Sequence, residues 1–211
     1  MGGGAVLKFR DLFNDSSLFW AWRQYLGLTP AGKSGSESLG RYHLTINSGI
    51  NGKWDNTGSE APRIFLGVLN FPCEIITRLD TYTAIEDTYA ELFIAHDPVG
   101  FGSDLYFSIG RYPAGLLVTN TSANLTSIVM ATLPVWLRIR VGCGSYRGLN
   151  VYFDYSVDGR TWINLWVENT SITFFSMNPP AVGIMVRNRS ALYNEVTGTF
   201  DHFIMKPKSI N

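Results

Sequence analysis

Beyond residue 40 the side chains alternate between apolar and polar with a period of two, and Gly, Pro, Asn and Asp interrupt the alternation every few residues. In WLRIRV, Leu137, Ile139 and Val141 alternate with Arg138 and Arg140; in LNVYFDYS, Leu149, Val151, Phe153 and Tyr155 alternate with Asn150, Tyr152, Asp154 and Ser156. Successive side chains of a strand point to opposite faces, so each segment has one face to bury and one to wet. The glycines of GCGSYRG allow positive φ between these two runs and predict an antiparallel hairpin. Asp158-Gly159 in YSVDGRTW predicts a second, tight hairpin turn with positive φ at both centres. Similar runs, among them RYHLTI, RIFLGVL, CEIITRLDTY, YAELFIAH and GTFDHFIM, bring the count to about a dozen, which predicts two packed antiparallel sheets. Only SSLFWAWRQYL reads as helical at all, and its aromatics suit an opening strand or turn equally well. No repeat or linker divides the 211 residues, so one domain is expected, with 1–8 as a flexible arm.

Charge narrows the partners. Seventeen basic and 17 acidic residues cancel and no Lys/Arg run occurs, which argues against nucleic acid and anionic membrane surfaces. Charged residues are 16% of the chain and aromatics 14%, against about 25% charged in a typical domain, so the surface suits adhesion, including to other copies of the chain. MGGGAVLKFRDLF reaches Arg10 too early for a signal peptide; the expectation is synthesis in the cytoplasm, with release by lysis as part of a virion. Five Asn-x-Ser/Thr sequons, at Asn14, Asn120, Asn124, Asn169 and Asn188, then carry no functional weight. Cys73 and Cys143 have no metal-type spacing and read as free, buried thiols.

The sharpest catalytic pattern is GLTPAGKS, with the spacing of a nucleotide phosphate loop from Gly27 to Ser34. Phosphate binding there needs a parallel strand before it and a helix after it, and GSESLG is poor helix material, so the segment reads as a surface loop with Lys33 solvated. Glu74, Asp80, Glu86, Asp87 and Glu91 are plentiful in one region, yet no Glu-x-Asp-x-x-Glu strand motif of laminarinase-type enzymes joins any of them. His43, His96 and His202 are far apart, with neither an H-E-x-x-H nor a G-x-S-x-G. Aromatic residues offer more, because sugar rings stack on exposed aromatic faces while polar groups orient their hydroxyls. Trp166 and Trp54 are the expected surface platforms, Trp162 is expected to pack inward over its turn, and Tyr152, Asp154, Arg138, Arg140 and Arg78 would line a polar sheet face.

DLFNDSSLFWAW, LPVWLRIRV, VYFDYSVDGRTW, PAVGIMVRN and GTFDHFIM, in this order, span nearly the whole chain. Together they resemble the concanavalin A-like β-sandwich module found at the C-terminus of some β-xylosidases and in stand-alone laminin-G-like domains. The resemblance implies a two-sheet antiparallel jelly roll, generally non-catalytic, that binds sugars, packs against a partner domain or adheres. It also implies a structural calcium where the first and last strands meet, with Asp201 after the closing Phe and Asp11 or Asp15 approaching it; no other cofactor is required. The expectation is therefore a protein that is not an enzyme and that recognises glycan or a surface polysaccharide. The alternative is a virion structural protein, such as a capsid decoration or tail adhesin, working through homo-oligomer or capsid contacts; a glycoside hydrolase ranks third.

Overall fold

The computed structural model describes residues 9–15, 18, 21–55, 58–67, 72–83, 85–99, 106–120, 123–130, 132–142, 149–170, 181–188 and 194–207. The expected arm at 1–8, Cys143 and most of the glycine-rich link lie outside these residues. In chain order the strands are β1 (Phe9–Asp11), β2 (Arg23–Tyr25), β3 (Lys33–Ser38), β4 (Arg41–Ile46), β5 (Trp54–Asp55) and β6 (Gly58–Ser59). They continue with β7 (Arg63–Gly67), β8 (Cys73–Tyr82), β9 (Thr88–Ala95), β10 (Tyr106–Tyr112), β11 (Gly115–Asn120) and β12 (Asn124–Val129). The last five are β13 (Val135–Val141), β14 (Leu149–Ser156), β15 (Ile163–Thr170), β16 (Ala181–Asn188) and β17 (Val196–Pro207).

One sheet runs β15-β14-β13-β8-β17-β4-β3 with β1 also on β17; the other runs β12-β11-β10-β9-β16-β7-β2. Between them the inward residues of each alternation meet: Ile75, Leu79, Leu137, Ile139, Phe153 and Phe203 from the first sheet, and Leu92, Ile94, Ile109, Val118, Val182 and Ile184 from the second. Burying this apolar area is the main term that stabilises such a sandwich. β13 and β14 are the antiparallel neighbours that the sequence predicts, with Ile139 opposite Phe153.

Strands β9 and β16 depart from the alternation: every one of their side chains is buried. Their second faces lie under a smaller cluster of Trp54, Phe65, Phe93, Tyr106, Ala181 and Met185, to which the short β5–β6 hairpin delivers its tryptophan. Trp54 is fully buried, stacked on Tyr106 at 4.3 Å and edge-on to Phe93 at 5.4 Å. The expectation of Trp54 as a surface platform is thus corrected: a hairpin distant in sequence from β9 and β10 turns it onto a sheet instead of into solvent. The Arg63 guanidinium, 3.7 Å from the Trp54 ring centre and 4.5 Å from that of Tyr25, is pulled by burial down to about 9 and so stays protonated at neutral pH. On the same covered face Arg187 pairs with Glu91, and Glu91 also accepts a 2.8 Å hydrogen bond from Ser108 Oγ.

The segment with phosphate-loop spacing is corrected as well. Residues 33–38 are an edge strand rather than a loop, and Lys33 is buried against Glu60 instead of solvated. The loop does hold an anion, but the chain's own: Glu60 also accepts from Thr29 N at 3.1 Å and Thr29 Oγ1 at 3.3 Å.

The Asp158-Gly159 turn spans residues 157–162 between β14 and β15, and of its two centres Gly159 has positive φ, at 70°. The tight two-residue turn is replaced by a carboxylate-centred one: Asp158 accepts from Arg160 N, Thr161 N, Thr161 Oγ1 and Ser156 Oγ, and these bonds hold its carboxyl well below the usual range. A β-carbon on Gly159 would stand 2.7 Å from Trp136 Cε2, so the turn can rest on that ring only because the residue is glycine.

Candidate functional site

The solvent-facing side of the β13-containing sheet gathers most of the chemistry that the sequence singles out. Register places Arg140 between Tyr152 and Glu74, Arg138 between Asp154 and Ile76, and Trp136 between Ser156 and Arg78. Because alternate residues share a face, Trp136, Arg138 and Arg140 form one row along β13. The same spacing in LPVWLRIRV would have revealed Trp136 as a member of the face, which the sequence analysis missed.

Asp154 is the hub at one end. It is 1% exposed and accepts from Arg138 Nε at 2.9 Å, Arg140 Nε at 2.6 Å and Nη2 at 3.0 Å, and Asn164 Nδ2 at 2.9 Å. Burial pushes its carboxyl up, but the bonds from Arg140 and Asn164 and the two guanidinium charges outweigh that and leave it below the ordinary carboxylate value. Glu74 extends this network to Arg138 at 3.6 Å and Lys206 at 2.8 Å. A second network centres on Arg78, which bonds Asp80 through Nε at 2.6 Å and Asp201 through Nη2 at 2.6 Å, while Arg41 Nε reaches Asp80 at 2.6 Å. Asp80 is likewise lowered overall, burial being overcome by Arg78 and Arg41.

Each aromatic ring on this face is matched to an arginine. The guanidinium carbons of Arg138, Arg140 and Arg78 lie 4.1, 4.5 and 5.8 Å from the ring centres of Trp162, Tyr152 and Trp136. His202 packs on Trp136 at 4.4 Å, and burial holds its pKa below the ordinary histidine value, with Arg78 and Arg10 adding to the effect and Asp201 opposing it. His202 reaches this face through an irregularity of β17 between Phe200 and Phe203, which no period-two reading contains.

Tyr152, Asp154, Arg138, Arg140 and Arg78 therefore lie on one sheet face, and the two tryptophans, Trp162 just before β15 and Trp166 within it, exchange roles. Asp154 pairs with Asn164 while Phe153 pairs with Trp166, so β15 has one extra residue at this point. The bulge reverses the alternation: Trp166 turns to the core and donates to Glu168 at 3.0 Å, Val167 turns outward, and Trp162 stands on the outer face under Arg138. The expected calcium ligands do not converge. Asp201 faces outward on Arg78, whereas Asp11 sits opposite Phe203 and accepts from Trp22 Nε1 at 2.7 Å. Asp15 donates its backbone N–H to Glu37, and among the described residues no group of three His, Cys, Asp or Glu side chains is placed to hold a metal.

Asp154→Asn is expected to destabilise the fold by about 2–3 kcal/mol at neutral pH, since it leaves two arginines facing each other across a neutral amide. The deficit should stay constant down to about pH 4 and shrink below it, because a carboxylate with a lowered folded pKa loses its contribution only as the pH falls through that value. Urea unfolding of both proteins across pH 3–8 measures this; a deficit that already closes by pH 6 would refute the assignment.

No protein-family model matches the chain, and no curated protein sequence does. Solved structures do match. A mutant of the GH43 protein BlXynB from Bacillus licheniformis superposes with a TM-score of 0.72 at 18% identity, over 94% of this chain and 39% of that one, so the chain spans about two fifths of that protein. A prokaryotic β-1,3-1,4-glucanase (lichenase) from a mouse hindgut metagenome matches with a TM-score of 0.62 at 12% identity, over 95% of this chain and 99% of its own. A laminarinase from Flavobacterium sp. UMI-01 matches with a TM-score of 0.57 at 12% identity, again over 95% and 99%.

The fold is the concanavalin A-like jelly-roll sandwich. The expectation that the chain is not an enzyme is corrected by the same matches. It rested on a resemblance to non-catalytic modules, whereas the sandwich found here extends over 99% of the glucanase and laminarinase chains. Similarity at these identities establishes the fold, and the virion alternative gains nothing from it.

Proposed function

We propose that this jelly-roll sandwich is a carbohydrate-active protein that engages a polysaccharide across the outer face of its β13-containing sheet. The observation that carries this reading is the lattice of Arg138, Arg140 and Arg78, each beside an aromatic ring and each bonded to a carboxylate. Such a surface is rigid before ligand arrives and presents donors, acceptors and ring edges together, the combination that a sugar's hydroxyls and C–H faces require. Structural neighbours named as glycoside hydrolases and glucanases support the same ligand class. In affinity electrophoresis through gels containing plant and algal polysaccharides, at least one polymer should retard the protein. Trp162→Ala and Tyr152→Ala should each weaken that retardation about tenfold, and migration unaffected by every polymer would end this reading.

The full-length match to a glucanase favours a second reading, in which the same face also cleaves its ligand. Reducing ends should then appear on incubation with β-glucan or xylan; unchanged substrate would remove hydrolysis while leaving recognition intact.

A further inference from the structure

The face that we assign to polysaccharide carries more cations than its own carboxylates neutralise. On the outer face of this sheet, Arg10, Arg41, Arg78, Arg138, Arg140 and Lys206 stand against Glu74, Asp80, Asp154 and Asp201, whereas Lys33, Asp11, Glu37 and Glu168 are in register with inward-facing residues. The whole chain is neutral, so this is a local excess. It is also ordered. Lys206 and Glu74 are paired in register at one end of β8 and Arg41 grips Asp80 at the other, about 20 Å away at strand spacing, with Arg10 opposite Ile204 and Arg78 between. The half-buried Arg138 and Arg140 are spent on Asp154, whereas Arg41 and Lys206, each bonded to one carboxylate, have side chains 42% and 44% exposed and Arg10 is exposed, so the solvent-accessible cations form a stripe across β4, β17 and β1 beside β8.

Resting on that reading of the face, we infer that the polysaccharide is a linear acidic one, a polymer of uronic acid residues. The open cations take its carboxylates as charge-assisted hydrogen bonds. Asp201, whose side chain is 25% exposed between these cations, accepts hydroxyl protons from the sugar rings, which a polymer of bare phosphodiesters does not offer in the same number. A neutral glucan would leave the cation excess without a counter-charge, and single-stranded DNA would meet the part-exposed carboxylate of Asp201 among the cations. The arginines also lie close to the aromatic rings, so stacking of neutral sugars has less open ring face than three aromatics would suggest.

The test is isothermal titration of the full chain with polygalacturonate, alginate, mixed-linkage β-glucan, dextran sulfate and oligo-dT, each at two salt concentrations. Polygalacturonate or alginate should bind most tightly and weaken as salt rises, as screened charge contacts do. Arg41→Gln and Lys206→Gln, whose half-exposed side chains can be changed without opening the core, should each reduce uronate binding about fivefold to tenfold while leaving the thermal midpoint within a few degrees. Equal or stronger binding of the neutral glucan would overturn the acidic class and leave polysaccharide recognition standing. Preference for dextran sulfate or oligo-dT would make the stripe a plain polyanion surface and overturn the inference, and heat from none of the polymers would overturn both readings.

Discussion

Glu91→Ala should lower the stability of this protein by about 3–5 kcal/mol, read as a fall in the urea midpoint at unchanged slope. The Glu91 side chain is 1% exposed and that of Arg187 fully buried, on the covered face of the second sheet. Burial alone would lower the arginine's pKa; the adjacent carboxylate instead holds it above its ordinary value, so the charge persists in the interior. Arg187 Nη2 donates to Glu91 Oε1 at 2.8 Å and to Thr119 Oγ1 at 3.0 Å, and among the described residues Nη1 has no hydrogen-bond partner. Removing Glu91 leaves a guanidinium with Thr119 as its one remaining acceptor among the described residues, beside the faces of Tyr89 and Tyr106. A double variant, Glu91→Leu with Arg187→Met, should regain most of the loss, because two apolar chains of similar volume avoid the desolvation of both charges. If the double variant is no better than the single one, the damage comes from packing and not from the unpaired charge.

Trp54→Ala is the second large expected loss, again about 3–5 kcal/mol. The residue is wholly inside, and its ring is shared by Tyr106, Phe93 and Arg63. Truncation opens a cavity under the β5–β6 hairpin and removes the ring face from a guanidinium that burial has already weakened to about 9. Hydrogen exchange should locate the effect: amides of the hairpin and of β9 and β10 should lose protection before those of β13 and β14. Trp54→Phe should retain roughly half of the lost stability. Uniform loss across both sheets would contradict the picture of a satellite core attached to one of them.

Much of this was legible in the residues because it depends on local alternation. Arg138, Arg140, Tyr152 and Asp154 share a face by spacing alone, and the pairing of their strands follows from the short link between them. Trp162 and Trp166 were misplaced because their facing depends on which β14 residue pairs with Asn164, a cross-strand fact that β15 does not encode by itself. Trp54 and Lys33 were misplaced for a longer-range reason. The burial of each is set by a partner remote in sequence, Tyr106 for one and Glu60 for the other, and neither local polarity nor loop-like composition reports it. His202 joined the site through a strand irregularity, and the calcium carboxylates separated because Asp11 and Asp201 flank the same strand from opposite faces.

The order of strands has a consequence for how the protein is made. β17 lies between β8 and β4, and β16 lies between β9 and β7, so the two described strands made after all the others occupy interior positions, one in each sheet. Until residues 181–207 emerge from the ribosome, the strand order of each sheet is split in two, and the edges of β8, β4, β9 and β7 carry unpaired N–H and C=O groups, with β1 also lacking its partner. The halves cannot lock together during translation, and most of the pairing joins residues far apart in the chain, a topology that folds slowly. A nascent chain is thus at its most adhesive just before β16 and β17 emerge, which makes it a natural client for holding chaperones and a poor candidate for expression as pieces that lack residues 181–207.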